Sequence, residues 1–154
     1  MSANRDFKDL LSTLNAFHVR YLVVGAHAVI HYTEPRYTKD LDIWVEPTAG
    51  NAKATWNALA KFGAPLRDVT PADFENTEII YQVGIEPSRV DIMPGMPGVR
   101  FRSAWLNAVR TTYYGEPIRV IGLKELLRAK RAAARPQDLL DIAALESTKK
   151  KRPT

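Results

Sequence analysis

The sequence predicts one α/β (α+β) domain, a small mixed sheet flanked by helices, and three observations carry that expectation. Helical and strand-like segments alternate as helix, strand, helix, strand, helix, strands, helices. The chain has 154 residues, 45% of them hydrophobic and 25% charged, enough for one self-sufficient core and too few for two. It has no cysteine, so disulfide frameworks, thiolate zinc sites and a thiol nucleophile are excluded. Residues 1–147 are expected to form the single domain, including a C-terminal helical pair, and 148–154 a basic disordered tail.

Phe7, Leu10, Leu11, Leu14 and Phe17 recur at helical spacing, which predicts an amphipathic helix over 5–17. Tyr21–Val24 reads as a buried strand, and 26–32 as a short helix that stops before Glu34-Pro35. Asp40–Glu46 reads as a second strand. Thr48 is placed to cap a helix over 49–62, with Trp56, Leu59, Ala60 and Phe62 inward and Gly63 as its stop. Strands are expected at Thr77–Gly84 and Ser88–Met93, joined by a hairpin turn at Ile85-Glu86-Pro87. The loop Pro94–Gly98 precedes a short helix over 103–110, an edge strand over Pro117–Ile121 and a strong helix over Leu123–Arg135. Pro136 opens a last helix to about Ser147, and Lys149–Thr154 reads as a frayed tail.

The charge is unevenly distributed. Residues 1–99 hold nine Lys/Arg and twelve Asp/Glu, a net of −3; residues 100–154 hold thirteen and five, a net of +8. The basic part is either a solvated face or an attraction for phosphates, nucleic acid or acidic proteins. The start MSANRDFKDL has no apolar leader, which points to the cytoplasm. The most apolar stretch, Tyr21–Ile30, is about half the length of a membrane span, so no membrane partner is expected.

The chemistry concentrates on two strands. Alternation puts Asp40 and Asp42 on one face and Leu41, Ile43 and Val45 on the other; it also separates Asp91 from Val90 and Ile92. If the strands are neighbours and share a core, the three carboxylates converge. Such a cluster calls for a divalent cation, and an all-oxygen donor set favours Mg²⁺ or Mn²⁺. Fifteen residues before Asp40, the junction Val24-Gly25-Ala26 lets backbone approach a ligand and offers the free N–H groups of a helix start to phosphate. His27 and His31 stand i, i+4, but Ala28 occupies the place of a zinc protease's glutamate, so they read as buried polar residues or as pocket lining. Trp44, Trp56 and Trp105 read as core or rim aromatics.

Together, Gly25, Arg36-x-Thr38-Lys39-Asp40-x-Asp42 and Asp91 resemble the minimal nucleotidyltransferases of the polymerase-beta superfamily, especially the bacterial branch related to AbiEii-like and type IV toxins. Ile121–Lys130 and Gln137–Asp141 resemble that family's helix with its Lys, then Asp, signature. The resemblance spans about residues 5–147. It implies an Mg²⁺-dependent transfer of a nucleoside monophosphate from an NTP such as ATP to a hydroxyl of RNA, protein or a small molecule. By the same resemblance, Asp40, Asp42 and Asp91 are catalytic and hold the metal. Gly25, Ala26, Arg36, Thr38, Lys39, Lys130 and Asp138 bind the nucleotide, Asp138 as a support for Lys130. The toxin branch adds an antitoxin or regulatory partner. One departure stands out: Ala26 replaces the family's usual Ser or Gly. A catalytically degenerate nucleotide- or nucleic-acid-binding protein of the same fold is therefore the alternative, and a basic nucleic-acid-binding module a third.

Overall fold

A computed structural model of the protein describes residues 3–34, 40–85 and 88–151. Among the described residues six α-helices, α1 (Ala3–Ala16), α2 (Gly25–Tyr32), α3 (Ala49–Phe62), α4 (Phe101–Leu106), α5 (Leu123–Ala133) and α6 (Pro136–Lys151), and one 3-10 helix (Pro71–Glu75) accompany six strands. The strands are β1 (Tyr21–Val24), β2 (Leu41–Val45), β3 (Tyr81–Val83), β4 (Val90–Met93), β5 (Val109–Tyr113) and β6 (Glu116–Val120). They form one mixed sheet in the order β3-β4-β2-β1-β6-β5. The α/β expectation with a small mixed sheet therefore holds.

β1 and β2 are antiparallel, while β2 runs parallel to β4 and β1 parallel to β6. In the β2–β4 register Leu41 meets Val90 and Ile43 meets Ile92, and all four side chains are buried. They form the core face of the central sheet. α1 sends Phe7, Leu10, Leu11 and Leu14 inward as its periodicity requires, and it packs on α3 and β6. The other face carries Asp42 beside Asp91 and Trp44 beside Met93. There Phe101 of α4 meets Trp44 edge-on at 5.1 Å. α4 thus covers the tryptophan half of this face, and the carboxylate half borders a cleft.

Several elements depart from the sequence reading. β3 is three residues rather than eight, because Asn76 accepts the Glu78 amide on its side chain (2.9 Å) and the Ile79 amide on its carbonyl (3.3 Å), curling the chain into a turn. The expected β3–β4 hairpin is present; Ser88 N–H donates to the Ile85 carbonyl at 2.8 Å, and residues 86–87 lie outside the described residues. The helix expected to reach residue 110 ends at Leu106, and β-branched Val109-Arg110-Thr111-Thr112 instead starts β5.

β5 is the sheet edge, and β6, expected there, lies between β5 and β1. Pro117 is tolerated in β6 because β1 pairs with that strand only at Val120, three residues on. On α3 the buried positions are Asn51, Ala52, Thr55, Ala58 and Leu59; Ala60 is exposed, and Trp56 and Phe62 are half-buried. Thr48 stands at the N-cap, but its hydroxyl donates to Glu46 Oε1 at 3.1 Å instead of capping the helix. Asn51 is buried for a reason of its own: it bonds both the amide and the carbonyl of Arg20 and the carbonyl of Glu46, tying α3 to β1 and β2. Gly63 ends α3 at φ 96°, a conformation glycine adopts without strain. α6 continues past Ser147 to Lys151, into the stretch expected to be a tail.

Candidate active site

The carboxylates of Asp42 and Asp91 are neighbours because β2 and β4 pair in parallel with these two residues at one register position. Asp40 lies just before β2 and is half-buried. Burial, followed by the charges of Asp91 and Asp40, pushes the Asp42 pKa up to about 7, against the pull of Lys130 and Arg89. The three aspartates thus share one electrostatic environment. Arg89, two residues before Asp91 on the same strand face, lies between them. Its guanidinium reaches Asp40 Oδ2 at 3.1 Å and both Asp91 oxygens at 3.1 Å.

Gly25 closes the site from the other side. It starts α2 at φ 66°, and a Cβ there would overlap the Asp42 carboxylate, with Cγ at 2.8 Å. The sequence offered close approach to a ligand as the reason for this glycine; the structure adds that Asp42 itself needs the space. The first turn of α2 has no side-chain cap, and Ala26 is half-buried within it. Arg36, Thr38 and Lys39 lie outside the described residues.

Lys130 comes from α5 into the same cleft. It is buried, and its Nζ donates to Asp138 Oδ1 and Asp141 Oδ2, each at 3.1 Å. Asp138, fully buried, also accepts from the Arg135 backbone amide and side chain. Those Arg135 bonds, supported by Lys130 and opposed by burial, hold the Asp138 pKa down at about 2. Lys130 is therefore a fixed cation with two carboxylate partners, so a solvated lysine on a basic helix does not describe it. Asp138, expected as a support for Lys130, contacts it directly.

Gly25, Asp42, Asp91, Lys130, Arg135 and Asp138 line one cavity of about 400 Å³. A larger hollow of about 660 Å³ adjoins it, sharing Ile80, Gly95, Met96 and Pro97 and lined further in by Trp44 and Phe101. His27 does not join the cleft lining. Its Nδ1 bonds the Tyr113 hydroxyl, its ring meets Phe7 edge-on, and burial pulls its pKa down to about 4, so it stays a neutral core residue. His31 packs edge-on against Tyr32. Among the described residues, no three carboxylate or imidazole side chains are grouped closely enough to hold a metal ion.

The donor chemistry nevertheless suits a hard cation. Among the described residues Asp40 Oδ1 is buried without a hydrogen-bond partner, and Asp42 is a carboxylate crowded by two others. Two residues at this cleft were missed in the sequence. Alternation alone could have placed Arg89 on the face of Asp91; Arg135 carried no signal beyond preceding Pro136.

No protein-family model matches the chain, and no curated protein matches it. Among solved structures it is similar to the lincosamide antibiotic adenylyltransferase LnuA in its lincomycin-bound crystal structure, with a TM-score of 0.60 over 94% of this chain and 96% of that one. The fold is nucleotidyltransferase-like. At 18% identity the likeness is one of fold. The structure also has, among the described residues, no helix long and apolar enough to cross a membrane.

Proposed function

We propose that the chain is a nucleotidyltransferase, dependent on Mg²⁺ or Mn²⁺, that moves a nucleoside monophosphate from an NTP to an acceptor hydroxyl and releases pyrophosphate. The observation that carries this reading is the pairing of Asp42 with Asp91 at one register position, in one cavity with Gly25 and Lys130. Asp40, Asp42 and Asp91 would hold the cation, which when bound neutralises phosphate charge and polarises the reacting phosphate.

The remaining work falls to the chain. The uncapped first turn of α2, at Gly25 and Ala26, presents backbone N–H groups to the triphosphate. Lys130, held by Asp138 and Asp141, and Arg135 supply positive charge at the cleft. Arg36, Thr38 and Lys39 complete the nucleotide contacts that the family resemblance implies. Asp91 accepts the proton of the acceptor hydroxyl, whose oxygen forms a bond to the α-phosphorus as the bond to the pyrophosphate oxygen breaks. The adjoining hollow behind Met96 and Pro97 is the space for the acceptor.

LnuA is an adenylyltransferase whose structure holds lincomycin. ATP and a small-molecule acceptor, already expected beside RNA and protein, are therefore the first substrates to test. Purified protein incubated with each α-labelled NTP, Mg²⁺ and cell extract should transfer label. The Asp42→Ala variant should not, and equal transfer by both would sink the reading. Ala26 favours a second reading, a nucleotide-binding regulatory protein without turnover; it predicts thermal stabilisation by ATP with no label transfer.

A further inference from the structure

β5 and β6 place Arg110 directly opposite Arg119. Like charges at opposed positions of an antiparallel pair destabilise it, so this arrangement opposes folding unless something else uses it. Arg119 is held in a defined position: its guanidinium lies 3.9 Å above the Trp105 ring, whose neighbour is Phe101, stacked at 5.7 Å. Arg20 adds a third guanidinium 5.8 Å from the same ring. Arg20 has a carboxylate partner, Glu46 at 3.5 Å; among the described residues, Arg110 and Arg119 have none. Burial, with Arg110 and Arg20 close by, pulls the Arg119 pKa below its ordinary value.

Arg110, Arg119 and Trp105 border a hollow of about 300 Å³ that Asn15 and Tyr21 also line. It lies at the opposite end of β1 from the active-site cleft, since Tyr21 lines one and Gly25, just past the other end of the strand, lines the other. Two guanidinium forks with no internal counter-ion, one braced on an indole, make a receptor for a compact polyvalent oxyanion. We propose that Arg110 and Arg119, braced by Trp105, form a binding site for a small phosphorylated anion of about the size of pyrophosphate or a nucleoside monophosphate, separate from the candidate active site. Arg20 adds long-range attraction. The hollow is too small for an extended polymer to be enclosed, which favours a free anion over a nucleic-acid backbone.

Pyrophosphate, AMP and a ten-nucleotide single strand are titrated into the metal-free full chain at low salt, with tryptophan fluorescence and the melting temperature as readouts. The wild type should bind pyrophosphate or AMP with a Kd of about 0.1 mM and gain about 3 °C at saturating ligand. Arg110→Glu should weaken binding at least about tenfold. It should also raise the melting temperature of the free protein, because an ion pair with Arg119 replaces repulsion. Arg110→Ala provides the same binding test should the glutamate variant fold poorly. Unchanged small-anion binding in both variants would put the anion elsewhere and overturn the proposal. So would binding of the oligonucleotide with neither small anion, which would make the patch a backbone-tracking surface.

Discussion

Asp42 and Asp91 face each other across β2 and β4, and burial, reinforced by the charges of Asp91 and Asp40, raises the Asp42 pKa to about 7 in the metal-free protein. The folded state then binds a proton that the unfolded chain, with its carboxylate near 3.8, releases. Stability must therefore fall as the pH rises from about 4 to 7, by about 1.4 kcal/mol per unit over the range where the two states differ by one proton. Asp42→Asn removes this dependence. In chelator-treated samples it should stabilise the protein at pH 8 by on the order of 2 kcal/mol while abolishing nucleotidyl transfer. Urea titrations at pH 5 and pH 8 provide the check; a variant less stable than wild type at pH 8 contradicts the carboxylate crowding.

Gly25→Ala should cost about 3 kcal/mol, part from the positive φ and part from overlap with Asp42. In an Asp42→Gly background only the backbone part remains, about 1 kcal/mol. A double-mutant cycle of unfolding free energies reads the difference.

Lys130→Met leaves Asp138 and Asp141 buried without their shared cation and should lose about 3 kcal/mol of stability. Asp138, with its pKa held at about 2, adds stability that is complete above pH 4 and is lost as the pH falls through 2. Acid unfolding of Asp138→Asn should lack that step. An unchanged acid midpoint would count against the buried triad.

Arg89 stands between Asp40 and Asp91, where a cation would also stand. Arg89→Gln should tighten Mn²⁺ binding several-fold in calorimetric titration, because the ion no longer competes with a tethered guanidinium. Weaker binding would instead make Arg89 a positioning group for the two carboxylates.

The carboxylate pair was legible in the sequence because period-two alternation fixes faces once two strands share a core, and Leu41, Ile43, Val90 and Ile92 fixed that core. Gly25 was legible too, although its reason was only half visible: the overlap with Asp42 depends on how α2 leaves β1, which no local pattern records. β5 was hidden because Val109–Tyr113 is an exposed edge with little apolar alternation. β3 shrank because one Asn76 side chain outcompeted the strand ladder. The support of Asp138 for Lys130 was legible only through the family resemblance; that Asp141 shares it is revealed only by the packing of α5 against α6.

The most direct test is a crystal structure with Mn²⁺ and a nonhydrolysable NTP, with the ion located by its anomalous signal. Mn²⁺ should lie about 2.1 Å from oxygens of Asp42 and Asp91, with Arg89 withdrawn from the bridge and the triphosphate at the first turn of α2. Mn²⁺ absent from those carboxylates, with Arg89 still joining Asp40 to Asp91 and the nucleotide elsewhere, would contradict it.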